Sequence, residues 1–132
     1  MAEKKQLNPM LKLLLDEHIS ADVAEGLRCH HKNIHVICLA EWENGRFLGL
    51  ADDLLLQEAI AQKLTLVTYD RRTIPPLLKA WAEAGHDQSG IIFVDERTIR
   101  PSDFGGLIPA LQTLYHEADK WDWLNRVCFL RR

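Results

Sequence analysis

Short, dense apolar runs alternate with amphipathic stretches along the chain, and this alternation predicts an α/β protein with a mainly parallel central sheet. The first run, Leu11 to Leu15, is almost continuous leucine, which suits a strand covered on both faces. Ser20 then supplies an N-cap signal for a helix through about Arg28, with Val23, Ala24 and Leu27 on one face. His35 to Leu39 reads as a second strand, and Ala40 to Leu50, with Asn44-Gly45 and Gly49, reads as a loop. The strongest helix pattern runs from Asp52 to Lys63 and sets Leu55, Leu56, Ala59 and Ile60 at core-facing spacing. A third strand is expected at Thr65 to Thr68, followed by a helix that takes Pro76 as its first residue and ends near Gly85. Ile91 to Val94 predicts a fourth strand. A last helix begins at Ser102 or Asp103 and turns Leu107, Ile108, Leu111, Leu114 and Tyr115 inward. Arg126 to Leu130 is a candidate final strand.

Right-handed crossovers between such strands give an open twisted sheet. Its functional crevice lies beyond the carboxyl ends of the strands, where strand order reverses. Asp16, Asp70 and Asp95 all stand at predicted carboxyl ends, and Asp52 opens a helix whose N-terminus can reach the same edge. Carboxylates crowded together repel one another unless a cation neutralises them, so the pattern points to a metal. Mg²⁺ binds oxygen ligands and keeps several waters, so a few carboxylates suffice. A metal there can orient a phosphodiester, lower the pKa of a bound water and stabilise a leaving oxygen. Asp16 and Asp70 are the expected inner ligands, with Asp52 binding directly or through water and Asp95 a further candidate ligand. Arg71 and Arg72, and also Arg97 and Arg100, are placed to contact substrate phosphates.

Each acid also has a plain structural reading. Asp52 and Asp53 favour a helix N-terminus by about 0.3–1 kcal/mol, and Asp16 and Asp70 suit turns. It is their coincidence on one edge that favours a site. Glu17 and Asp53 are read as solvated neighbours. His30, His31 and His35 straddle a helix end, so they read as surface histidines, and His18 as a loop residue. Trp121 and Trp123 read as packing residues.

Composition narrows the classes. At 132 residues the chain fits one domain at 11–132 behind a polar tail at 1–10. An apolar fraction of 47% and a charged fraction of 27% describe an ordinary globular protein. A net charge of −3 argues against a general nucleic-acid-coating protein but not against a nuclease whose metal supplies positive charge locally. Cys29, Cys38 and Cys128 are odd in number and widely spaced, which fits reduced cysteines in the cytoplasm rather than a disulfide framework or zinc ribbon. No apolar run approaches the ~18 residues of a membrane span.

Leu13-Leu14-Leu15-Asp16-Glu17, the helix start Ala51-Asp52-Asp53 leading to Ala59, and Leu66-Val67-Thr68-Tyr69-Asp70 together resemble the compact PIN-like domains of bacterial toxin-type, VapC-like ribonucleases. The resemblance covers about Leu11 to Val94. It implies a PIN-like three-layer sandwich with a sheet of four to five strands, Mg²⁺ or Mn²⁺, endonucleolytic cleavage of RNA, and a cognate antitoxin protein. By motif position, Asp16, Asp52 and Asp70 take the acidic metal-binding roles. Related sequences often carry a further acid after the third strand, whereas Asp70 is followed here by Arg71-Arg72-Thr73. Two other readings follow. One is a catalytically silent PIN-like binding or scaffold domain. The other is a receiver-like phosphoacceptor, which expects Ser or Thr after the fourth strand and Lys after the fifth, where this chain has Asp95 and Arg131. The expected partners are RNA, an antitoxin and a second copy of the chain as a homodimer, with no membrane.

Overall fold

The computed structural model describes residues 11–30, 33–46, 48–49 and 51–132. The tail at 1–10, His31 and Leu50 lie outside the described residues. Among the described residues ten regular elements follow in order. They are β1 (Lys12–Leu15), α1 (Ala21–His30), β2 (His35–Cys38), a 3₁₀ turn (Trp42–Gly45), α2 (Asp52–Gln62), β3 (Thr65–Thr68), α3 (Ile74–Glu83), β4 (Ile91–Val94), α4 (Phe104–Ala118) and β5 (Val127–Leu130). The five strands form one sheet in the order β2-β1-β3-β4-β5, and every pairing is parallel. The α/β class and the parallel sheet expected from the apolar runs are both present.

Side chains alternate across a strand with period two, and here that alternation divides two cores. Leu13 and Leu15 enter one with Val67, Ile92, α1 and α4. Leu14 enters the other with Leu66, Phe93, α2 and α3. The sheet is therefore the middle of three layers. Leu14, Leu15 and Val67 have no measurable exposure, and truncating such a leucine to alanine costs about 2–5 kcal/mol. On the first face α1 and α4 pack closely at Gly26, where a Cβ would stand 2.4 Å from Ile108 Cδ1.

The helix faces match the periodicity. Val23, Ala24 and Leu27 of α1, Leu55, Leu56 and Ala59 of α2, and Leu107, Leu111 and Tyr115 of α4 are buried. Ile60, Ile108 and Leu114 are only half-buried. Apart from shifts of a residue or two at other element ends, three features differ from expectation. α3 begins at Ile74, two residues before Pro76, because the first-turn N–H groups have no helical partner and prolines there cost nothing. α2 stops at Gln62 because Lys63 turns left-handed, with φ of 59°, and its N–H closes the helix on Ala59 and Ile60. The Ala40–Leu50 loop contains the 3₁₀ turn and buries Trp42. Asp103 is the N-cap of α4, with its side chain accepting from Gly106 N.

A sheet ordered β2-β1-β3-β4-β5 reverses direction between β1 and β3, since the chain leaves β1 outward to β2 and returns on the other side. The crevice of a doubly wound sheet lies at that point, beyond the carboxyl ends. Asp16 follows β1 directly and Asp70 follows β3 by one residue.

Candidate functional site: an acidic edge between β1 and β3

Asp16 is held by the ladder itself. Its backbone N–H continues the β1–β3 pairing by donating to Val67 O at 3.0 Å, and its carbonyl accepts from Ile19 N at 2.9 Å. One carboxylate oxygen accepts from Glu17 N at 2.8 Å. The other accepts from the Thr68 hydroxyl at 2.6 Å, a short bond of the charge-assisted kind. Thr68 is fully buried, and its Oγ1 also accepts from Asp70 N at 3.0 Å. A single hydroxyl thus ties the acid after β1 to the backbone of the acid after β3.

The Asp70 carboxylate accepts from Arg72 N and Thr73 N, both at 2.9 Å, and so shapes the turn into α3. Partial burial works to raise its pKa, but the bonds from Thr73 and Arg72, aided by the nearby His18 charge, outweigh burial and lower it. Asp70 is therefore held as an anion.

Asp52 is the first residue of α2, and Ala51 before it offers no side-chain cap. The loop leading to this helix is tethered to the β1–α1 turn by Glu17, whose carboxylate accepts from Gly49 N at 3.3 Å. Asp52 is half-buried there. Its pKa is raised, first by burial and then by the negative charges of Asp70, Asp16, Glu17 and Asp53. The helix start thus lies within the field of both strand-end acids. Glu17, expected to be a solvated neighbour, is exposed but contributes to the same negative field.

The four acids share one electrostatic environment without closing into a ligand set. Among the described residues no three His, Cys, Asp or Glu side chains are grouped closely enough to share a metal ion. The donor chemistry nonetheless fits a hard divalent cation: oxygen donors, mutually repelling, one of them shifted toward protonation by burial and then by its acidic neighbours.

Asp95 stands apart from this group. It is buried after β4, and its carboxylate accepts from Arg97 N at 3.0 Å and Arg97 Nε at 3.3 Å, with Arg131 Nε at 4.0 Å. The Arg97 backbone bond leads in lowering its pKa, against burial and with help from the Arg97 and Arg131 charges. Arg71 and Arg72 are exposed beside Asp70. The Arg71 guanidinium lies 5.2 Å from the centre of the Phe129 ring. Arg97 and Arg100 border an open depression beyond β4. His30 and His35 lie on different elements, and the three cysteines are free thiols. Trp123 is buried with its indole N–H on Ala118 O, whereas Trp121 is 40% exposed with Arg126 over its ring.

Thr68 and Glu17 are the residues that sequence reasoning undervalued. Thr68 reads as an ordinary β-former, and its only sequence signal is its place two residues before Asp70. Compared with protein-family models, curated proteins and solved structures, the chain matches none. Among the described residues no helix is long and apolar enough to cross a membrane.

Proposed function

We propose that the protein is a metal-dependent endoribonuclease of PIN-like type, hydrolysing RNA phosphodiesters with Mg²⁺ or Mn²⁺ held by Asp16, Asp52 and Asp70. The observation that carries the proposal is the Thr68 hydroxyl that ties the Asp16 carboxylate to the Asp70 backbone at the reversal of strand order, with Asp52 in the field of both acids. When bound, the cation supplies Lewis-acid charge and an activated water. The chain's own residues do the rest. Thr68 fixes the Asp16 carboxylate by its hydroxyl and Asp70 through its backbone N–H. Glu17 draws the loop before α2 toward β1. Arg71 and Arg72 offer exposed cations for phosphates beside Asp70. The resemblance to toxin-type sequences extends the proposal to a toxin with an antitoxin partner, and a cytoplasmic location and a homodimeric state are proposed beside it. The antitoxin would be recovered by co-purification from the native host, and the dimer read by sedimentation.

The deciding experiment follows RNA cleavage in Mg²⁺ or Mn²⁺ for wild type, Asp16→Asn and Asp70→Asn. Both substitutions are expected to lower the rate by about 100-fold or more while leaving the circular dichroism unchanged. Cleavage insensitive to both substitutions, or to EDTA, would sink the assignment. Metal binding without cleavage in the wild type would favour the silent scaffold.

The strand order favours one other reading. β2-β1-β3-β4-β5 is also the order of flavodoxin and the receiver protein CheY, although fold alone does not fix function. Asp95 and Arg131 replace the hydroxyl and lysine that a phosphoacceptor site expects after β4 and β5. Incubation with acetyl phosphate separates the two, because the nuclease reading expects no acyl phosphate on Asp70.

A further inference from the structure

Phe129, on the edge strand β5, is the most exposed large apolar side chain among the described residues, at 56%. It is not isolated. Its ring stacks on the buried Phe93 of β4, with centroids 5.6 Å apart and planes 24° from parallel. The Arg71 guanidinium lies 5.2 Å from its centre, and Arg71 directly follows Asp70. Arg131 lies two residues beyond Phe129, and its exposed guanidinium shares Asp95 with that of Arg97. In a chain of net charge −3, an open aromatic ring lying under the guanidinium of the residue after Asp70, with a second exposed arginine two residues beyond Phe129, is an arrangement with a specific use.

We propose that Phe129 is the stacking platform for an unpaired RNA base next to the phosphodiester at the acidic edge, with Arg71 and Arg131 contacting flanking phosphates. This rests on the ribonuclease reading above. Every base has a π-face, and exposed aromatics interleaved with cations are how single strands are held without sequence preference. A planar guanidinium already lies against the ring, and a base can take its place. Arg71 would then be released between the base and Asp70, where a phosphate has to lie. A duplex keeps its bases stacked inside and cannot use the ring, so the substrate class is single-stranded RNA or an unpaired loop.

The test is fluorescence anisotropy with a labelled single strand of about eight nucleotides, in EDTA so that binding is read without cleavage. Phe129→Leu keeps apolar cover over Phe93 but removes the π-face, and it is expected to weaken binding about tenfold. Phe129→Trp should retain wild-type affinity. Arg71→Gln should flatten the slope of log affinity against log salt by about 0.7. The perfect duplex should bind at least about tenfold more weakly than the single strand. Wild-type affinity in Phe129→Leu, equal affinity for the duplex, or no RNA binding by the wild type overturns the proposal. So does a polyglutamate peptide that binds as well as RNA and is lost equally in Phe129→Leu, an outcome that would assign the surface to an acidic protein partner. RNA held through Phe129 without metal-dependent cleavage supports the platform and removes only the catalytic assignment. Cleavage that needs Asp16 and Asp70, with Phe129→Leu binding normally, removes only the platform.

Discussion

Asp70 and Asp95 occupy nearly equivalent places after adjacent parallel strands, and both carboxylates accept backbone N–H bonds that shape the following turn. Their neighbours set them apart. Asp95 is buried and answered by Arg97 and Arg131. Asp70 is half-exposed and contributes to a field of acids felt at Asp52. An acid at a strand's carboxyl end is therefore not a ligand by position alone. At β4 the chain neutralises the charge internally, whereas at the β1–β3 crevice it accumulates negative charge that a divalent cation would relieve.

Three substitutions sharpen this contrast. The largest effect is expected from Thr68→Val, which keeps the volume but removes the hydroxyl joining Asp16 to Asp70. Groups that orient metal ligands are worth about 10–100-fold in affinity or activity, so Mg²⁺-dependent cleavage should fall by that factor, with Thr68→Ser restoring it. Stability should fall by about 1–3 kcal/mol, because a buried hydrogen-bonding partner is lost, and urea titration reads this separately. Unchanged activity in Thr68→Val would show that the bridge positions nothing.

Next is Asp95→Ala, which leaves Arg97 and Arg131 without their shared carboxylate. It should lower Tm more than Asp70→Asn does, since an asparagine at 70 still offers an oxygen to Arg72 N and Thr73 N. The rise in Tm on adding Mg²⁺ should survive in Asp95→Ala and shrink in Asp70→Asn. Loss of the Mg²⁺ response in Asp95→Ala would make Asp95 a fourth ligand after all. Because the pKa of Asp95 is lowered from 3.8, its stabilising contribution is complete above that value and is lost as pH falls through the folded pKa. The Tm difference between wild type and Asp95→Ala should narrow in acid.

The smallest effect carries the opposite sign. The folded pKa of Asp52 is raised above 3.8, so ionising it disfavours folding once pH exceeds the folded value, and protonation below 3.8 removes the penalty. Asp52→Asn should therefore stabilise the metal-free protein at neutral pH, by about 0.3 kcal/mol once solvent screening and the lost helix-terminus interaction are counted. The gain should disappear below about pH 4. Saturating Mg²⁺ should reverse the order of the two Tm values. A destabilised Asp52→Asn at neutral pH without metal would contradict the like-charge field.

The fold was legible because its strands are near-continuous apolar runs and its helices carry clear faces. Leu13 to Leu15 and Ile91 to Val94 are buried on both faces of the sheet. What escaped was local or relational. The left-handed Lys63 has no glycine to announce it, and Ile74 starts α3 because its prolines sit harmlessly in the first turn. For the site, the strand pattern puts Asp16 and Asp70 at carboxyl ends, whereas Thr68 and Glu17 act through partners distant in sequence. Asp95 is paired first with Arg97, two residues on, and its second cation, Arg131, is 36 residues away by numbering, a distance that no local pattern encodes. The exposure of Phe129 has no signal in the run Arg126 to Leu130, because exposure on an edge strand is set by what fails to cover it.

The alternation that sends Leu14 to one core and Leu13 and Leu15 to the other also constrains how this gene can change. Counted from Leu14, Asp16 falls on the α2 side of the sheet, as Thr68 and Asp70 do counted from Leu66. One codon inserted within β1 would reverse that parity and turn the carboxylate away from Thr68, even with every residue of the site retained. Volume-conserving apolar exchanges among the leucines of β1 keep the parity of the strand, whereas a single-residue length change does not.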